Sequence, residues 1–301
     1  MRAAITICAV LLATSAFAAD PQKAAKAAAA PPPPPAPACA NANALGISRT
    51  VEIDTTGGPG FGLEQYKAYD FLEPKEVILT FDDGPQVNTT KAVLEALANH
   101  CTKATFFSIG KMAVGLPELI REVAKAGHTI GTHTWSHADL RRMKDPKAAI
   151  SEMERGLSGV TRAVGAPVAP FFRFPYLADS PEMLAHLASR NIAVFSMDVD
   201  SFDFKFRNGD QVVKLVLEKL EKKGKGIVLM HDIQPHTAKA LPKLLDELKS
   251  NGYKIVHVTA KSHADTLAEY DALIEKDVKG LPAPGAEKAT SSIVRTVPTT
   301  P

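Results

Sequence analysis

Between residues 75 and 262 short apolar runs alternate with longer amphipathic stretches, and this rhythm limits the folds open to the chain. Apolar runs at 77–81, 103–107, 128–132, 171–174, 192–197, 226–230 and 253–258 have strand length and composition. Between them, 89–99, 117–126, 146–164, 210–223 and 238–251 carry helical periodicity, and Gly127 closes the second of these stretches. Regular strand–helix alternation predicts an α/β fold with a parallel sheet, and the number of units suits a (β/α) barrel. A flat, doubly wound sheet is the other arrangement such a pattern allows. In a barrel, reactive side chains belong at the C-terminal ends of the strands.

The flanks read differently. Met1-Arg2 is a short positive start, residues 3–13 are apolar, and Ala16-Phe17-Ala18 has the small-x-small form of a cleavage site. Residues 1–18 therefore read as a signal peptide whose apolar run is too short to span a bilayer, and a secreted or periplasmic protein is expected. Residues 19–38, with Pro31 to Pro35 consecutive, read as an Ala/Pro-rich disordered spacer. Residues 39–74 read as an N-terminal arm before a single 75–262 domain, and 263–301 as a C-terminal helix with a disordered Pro/Thr/Ser-rich tail. No later segment is long and apolar enough to cross a membrane. Cys8 leaves with the signal peptide, so Cys39 and Cys101 remain in a compartment where disulfides persist. A Cys39–Cys101 bridge is the expectation; two unrelated thiols are the alternative. The formal net charge is +2, with no basic run or basic-aromatic stripe, which argues against a nucleic-acid partner.

Polar residues cluster just after the apolar runs, as a barrel requires. Thr80-Phe81-Asp82-Asp83-Gly84-Pro85 ends the first strand, where a Gly-Pro turn lets adjacent carboxylates reach one site. Their different neighbours allow one to bind a metal while the other serves as a base. His133-Thr134-Trp135-Ser136-His137 follows the third strand, and histidines four apart can converge on one cation from a helical turn or a loop. With Asp83 they make an Asp-His-His set that leaves positions open for water and substrate. Phe172-Arg173-Phe174-Pro175-Tyr176 closes the fourth strand. Arg173 can orient a carboxylate through its planar fork, and a backbone N–H at Tyr176 could stabilise an oxyanion. Asp198-Val199-Asp200-Ser201-Phe202-Asp203-Phe204 follows the fifth strand. Leu229-Met230-His231-Asp232 follows the sixth, and His231 there has the pKa range to protonate an amine leaving group.

These five segments, in this order and each after a strand, resemble the motifs of the polysaccharide deacetylase family (NodB-type, carbohydrate esterase family 4). The resemblance covers roughly residues 75–258. It implies a distorted (β/α) barrel in a single catalytic domain, and amide hydrolysis on an N-acetylated glycan. Asp82 resembles the family's catalytic base, and Asp83, His133 and His137 its metal ligands. Arg173 resembles the residue that positions the base, Tyr176 the oxyanion donor, Asp200 the carboxylate that orients the acid, and His231 the general acid. Leu229, with Pro175 and Phe204, is placed at the substrate. The family often has tryptophan where this chain has Phe204, which leaves a smaller aromatic wall. The implied cofactor is a divalent metal, Zn²⁺ first, with Co²⁺ or Ni²⁺ as alternatives, and a monomer is expected.

Other residues take plainer readings. His128, on an apolar strand, reads as structural, and His236 as a solvated loop residue. Trp135 could stack on a sugar or pack in the core. Gly57 to Gly62 lacks the lysine and hydroxyl residue of a phosphate loop and reads as a connector. An O-acetyl esterase acting on xylan, a hydrolase of small cyclic amides, and a non-catalytic glycan-binding protein are the alternative functions.

Overall fold

The computed structural model describes residues 39–279; the stretches expected to be a signal peptide, a spacer and a tail beyond 279 lie outside the described residues. The elements run β1 (Arg49–Ile53), β2 (Gly60–Phe61), β3 (Glu76–Asp82), α1 (Val87–Asn99), β4 (Thr105–Ser108), α2 (Gly110–Gly115), α3 (Pro117–Lys125), β5 (Thr129–Thr132), α4 (Pro146–Val164), β6 (Phe171–Phe172), α5 (Pro181–Ser189), β7 (Ala193–Phe195), β8 (Val199–Asp200), α6 (Gly209–Lys223), β9 (Gly226–His231), α7 (Pro235–Ser250), β10 (Lys254–Ala260) and α8 (Ala268–Lys279). Every strand pair in the sheet is parallel.

β3 is the hub. It pairs with β9 from Val77↔Gly226 to Asp82↔His231, with β4 from Thr80↔Thr105 to Asp82↔Phe107, and with β10 at its first two residues. The sheet continues through β5, β6 and β7 to β2, while β8 pairs only with β9. Strand pairing therefore stops between β2 and β8, and the α/β barrel is distorted rather than closed. Loop contacts bridge the gap: Leu63 N–H donates to Asp198 Oδ1 at 2.7 Å, and Glu64 N–H to Met197 O at 3.3 Å.

Alternation along each strand sorts side chains between two cores. Val77, Leu79 and Phe81 of β3, with Val228 and Met230 of β9, face outward and pack under the helices. Ile78, Phe107, Phe171, Phe195 and Ile227 face inward and plug the barrel. The same alternation, two residues further along, turns Thr80, Asp82 and His231 inward above that plug. Strands buried on both faces need continuous apolar sequence, which explains why β3 is buried at all seven positions.

Helix ends follow local chemistry. Asp145, Ser180 and Asn208 cap α4, α5 and α6 through side-chain oxygens, and Gly165 and Gly224 end α4 and α6 in the left-handed region. Helix α5 is absent from the periodicity reading, although Ser180-Pro181 is a cap-and-first-turn signal for it. The arm is also more than a connector. It supplies β1, paired to β10, and β2, inside the stretch 57–62 read as a linker. Two- to five-residue strands are too short to register as periodicity, and only their partners define them.

Cys39 and Cys101 form a disulfide that ties the start of the arm to the end of α1. With a sequence separation of 62, replacing both by serine is expected to cost about 4 kcal/mol from loop-closure entropy alone. Urea unfolding with and without reductant checks this; equal midpoints for the two proteins would refute it.

Candidate active site

Strand register assembles the site. Asp82 and His231 are paired positions on β3 and β9, and the Thr132↔Phe172 pairing brings His133 and Arg173 side by side one residue later. All four then stand at one rim of the barrel, where Asp82, His133 and His231 line a cavity of about 420 Å³ together with Asp83, His137, Asp200, Phe204 and Leu229.

Arg173 is fully buried. Its guanidinium donates to Asp82 Oδ1 at 2.8 Å, Thr80 Oγ1 at 2.7 Å, Ser196 O at 2.7 Å and Phe195 O at 3.2 Å. The carbon of the guanidinium lies 4.3 Å from the centre of the Phe107 ring. Ser196 is in turn held by Gln65 of the arm at 2.7 Å. Asp82 thus has one oxygen committed to Arg173 and a fixed orientation toward the cavity.

Asp83 points elsewhere because its backbone takes a positive φ of 79°, which breaks the strand alternation that would send it outward. Thr134 and His137 also have positive φ, 64° and 62°, at an order of 1–3 kcal/mol each that the surrounding fold must offset. The histidine pair converges from a strand-end loop, not a helix, and Thr134 Oγ1 accepts from His137 N–H at 3.0 Å. Asp83 Oδ1 lies 3.5 Å from His133 Nε2 and 3.3 Å from His137 Nε2. The carbonyl of Arg173 can only accept, so His133 Nδ1 carries a proton and donates it at 2.7 Å, leaving the Nε2 lone pair to face Asp83. Burial pushes the His133 pKa down, against the pull of Asp82 and Asp83, and so favours the neutral, ligating form. Asp83 Oδ1 is buried without a hydrogen-bond partner. One carboxylate and two imidazoles, with ligand atoms within 4.8 Å of one another, fit a divalent metal ion.

His231 stands across the cavity, with Nε2 at 4.0 Å from Asp83 Oδ2. The carboxylate that holds its ring is Asp203, not Asp200. Asp203 Oδ1 accepts from His231 Nδ1 at 2.6 Å, and Asp203 Oδ2 accepts from His231 N–H and Thr237 Oγ1, both at 2.8 Å. Asp200 pairs with Leu229, two residues short of His231, and its Oδ1 turns back to accept from Phe202 N–H at 2.8 Å. That turn, with Phe202 at φ 48°, carries Asp203 beneath the ring. Burial acts to lower the His231 pKa, but the hydrogen bond and charge of Asp203, helped by Asp82 and Asp83, raise it to about 9. Burial raises the Asp232 carboxyl to about 7, with Asp83 adding to the rise and its bond from Thr90 opposing it.

Two sequence expectations are revised around the cavity, those for Pro175 and His236. Pro175 is buried and lies outside the cavity lining, which Phe174, Tyr176, Leu177 and Gln234 complete. Phe204 is half exposed at the rim, edge-on to His231 with ring centres 5.6 Å apart. The exposed Tyr176 ring stands edge-on to His137 at 4.8 Å. Trp135 is 4% exposed and packs against Gly110 and Gly159, so it belongs to the core. His236 is held to Asp203 O at 2.6 Å on the first turn of α7, and is not a solvated loop residue. His128 is buried, with its Nδ1 accepting from Ala104 N–H.

His133→Ala and Asp83→Asn are expected to lose bound divalent metal, while Asp82→Asn retains it because Arg173 holds that side chain outside the ligand set. Metal content after gel filtration checks this; loss in Asp82→Asn with retention in His133→Ala would reverse the assignment.

Comparison with known proteins agrees with this geometry. The sequence model described as polysaccharide deacetylase matches residues 71–195. A peptidoglycan-N-acetylglucosamine deacetylase of Listeria monocytogenes is 34% identical over 187 residues, covering 61% of this chain but only 38% of that protein. A chitooligosaccharide deacetylase of a Bradyrhizobium species is 32% identical over 200 residues, covering 62% of this chain and 90% of the relative. Among solved structures, a peptidoglycan deacetylase of Bdellovibrio bacteriovorus superposes with a TM-score of 0.64 at 34% identity, over 71% of this chain and 59% of its own. The chain belongs to the polysaccharide deacetylase family, whose members of this type hydrolyse carbon–nitrogen bonds.

Proposed function

We propose that this chain removes acetyl groups from N-acetylated amino sugars of a glycan, leaving a free amine and acetate. The observation that carries the reading is the arrangement around one cavity: an Asp-His-His set flanked by the Asp82–Arg173 pair and the His231–Asp203 pair. Asp83, His133 and His137 would hold a divalent ion, proposed as Zn²⁺, which when bound would supply Lewis acidity toward the acetamide oxygen and make water more acidic. Asp82, kept off the ligand set by Arg173, accepts the proton of the water that attacks the acetamide carbon. The N–H of Tyr176 donates to the oxygen on which negative charge develops. His231, protonated because Asp203 supports it, gives its Nε2 proton to the departing sugar nitrogen as the carbon–nitrogen bond breaks. Leu229 forms the apolar wall for the acetyl methyl, and Phe204 and Tyr176 flank the sugar. The Cys39–Cys101 disulfide supports an exported protein, and no helix among the described residues is long and apolar enough to cross a membrane.

Two measurements test this. Acetate release is expected from chitooligosaccharides or peptidoglycan, abolished by EDTA and restored by Zn²⁺; release only from acetylated xylan would make the protein an O-acetyl esterase. In the pH profile, the proton on His231 is lost as pH rises through about 9, so kcat/KM is expected to fall on that side. Asp203→Asn removes the support for that proton and is expected to move the alkaline limb to lower pH and reduce kcat, whereas Asp200 has no hydrogen bond to the ring and Asp200→Asn moves the limb less. An unmoved limb in Asp203→Asn would remove Asp203 from this role.

A further inference from the structure

The last residue of the Leu-Met-His-Asp segment is absorbed by none of the roles above. Asp232 directly follows His231 and is 1% exposed. Its Oδ2 accepts from Thr90 Oγ1 at 2.5 Å, and Thr90, itself fully buried on the first turn of α1, accepts from Gln86 N–H at 2.8 Å. Its Oδ1 is buried without a partner. A methyl group added at Gly84 would sit 2.1 Å and 2.4 Å from the two carboxylate oxygens, so the Asp232 carboxylate lies flat against the backbone that follows Asp83. A buried carboxylate with one unsatisfied oxygen is a poor way to stabilise a fold. Its placement instead links two parts of the site. One is the turn that sends Asp83 into the cavity; the other is the strand end that carries His231.

We infer that Asp232 and Thr90 are positioning residues: their bond fixes the Asp83-Gly84-Pro85 turn against the end of β9, and so sets the Asp83 carboxylate in place for the metal. Neither side chain lines the cavity, so both act through Asp83. Supports one step behind metal ligands typically change affinity by about 10- to 100-fold when removed. The inference rests on the reading of Asp83, His133 and His137 as a divalent metal site.

The test is Zn²⁺ affinity of the metal-stripped full chain, measured by calorimetry against a competing chelator, beside thermal unfolding in EDTA. Thr90→Val, which keeps side-chain volume but cannot donate, and Asp232→Ala are each expected to weaken Zn²⁺ binding by about tenfold or more, while Thr90→Ser and Asp232→Asn stay within about threefold of wild type. A purely structural pair would lower the unfolding temperature in EDTA yet leave Zn²⁺ affinity within about twofold, and that result overturns the inference. Should Asp232→Ala fail to fold, the near-isosteric Thr90→Val decides alone. A wild-type chain that binds Zn²⁺ but releases no acetate from any glycan would defeat the proposed reaction, while this inference would still stand or fall on the affinities. A wild type that binds no Zn²⁺ overturns both.

Discussion

The guanidinium of Arg173 is the constraint on which the rest of the site depends. A full positive charge with no solvent contact is tolerated only where its donors are matched and its charge is countered. Here four acceptors from two strand ends do this: Asp82 and Thr80 of β3, and the carbonyls of Phe195 and Ser196 at the end of β7. The same residue offers its own carbonyl to His133. One side chain and its backbone thereby orient a carboxylate, set an imidazole tautomer, and pull β3 and β7 to a common centre. The arm joins this network through Gln65 and Ser196, which explains why residues before the matched segment are part of the same domain.

Around that centre the carboxylates divide by environment. Asp82 is spoken for by a cation, Asp83 is turned toward two imidazoles by a left-handed backbone, Asp203 is locked to His231, and Asp198 accepts two backbone N–H groups at the barrel gap. Chemically identical groups acquire different tasks from what each strand end places beside them. That is also why Asp200, which stands in the same short segment as Asp203, folds its carboxylate back on its own turn.

Much of this arrangement is legible in the amino-acid sequence. The long strands β3, β9 and β10 and the helices α1, α4, α6 and α7 announce themselves by period, because each repeats its pattern over several turns or pleats. The site residues on β3, β5, β6 and β9 are legible because a barrel confines reactive groups to strand ends. Features with too short a period escape such a reading: β1, β2 and β8 of two to five residues, the six-residue α2, and α5, signalled only by its cap. Asp203 was within the quoted segment, yet spacing along the chain could not rank it above Asp200.

The sequence by itself determined the parallel α/β class, the order of the strand-end motifs and the residue types available for chemistry, since burial on both strand faces and polar strand ends are one-dimensional patterns. Only the tertiary structure decided which carboxylate meets which partner. Register sets Asp82 beside His231 and leaves Asp200 two residues short, and positive φ at Asp83, Thr134 and His137 overrides the alternation that sequence reading assumes. Those are distances between strands and turns of single residues, and neither is written in the spacing of residues along one strand.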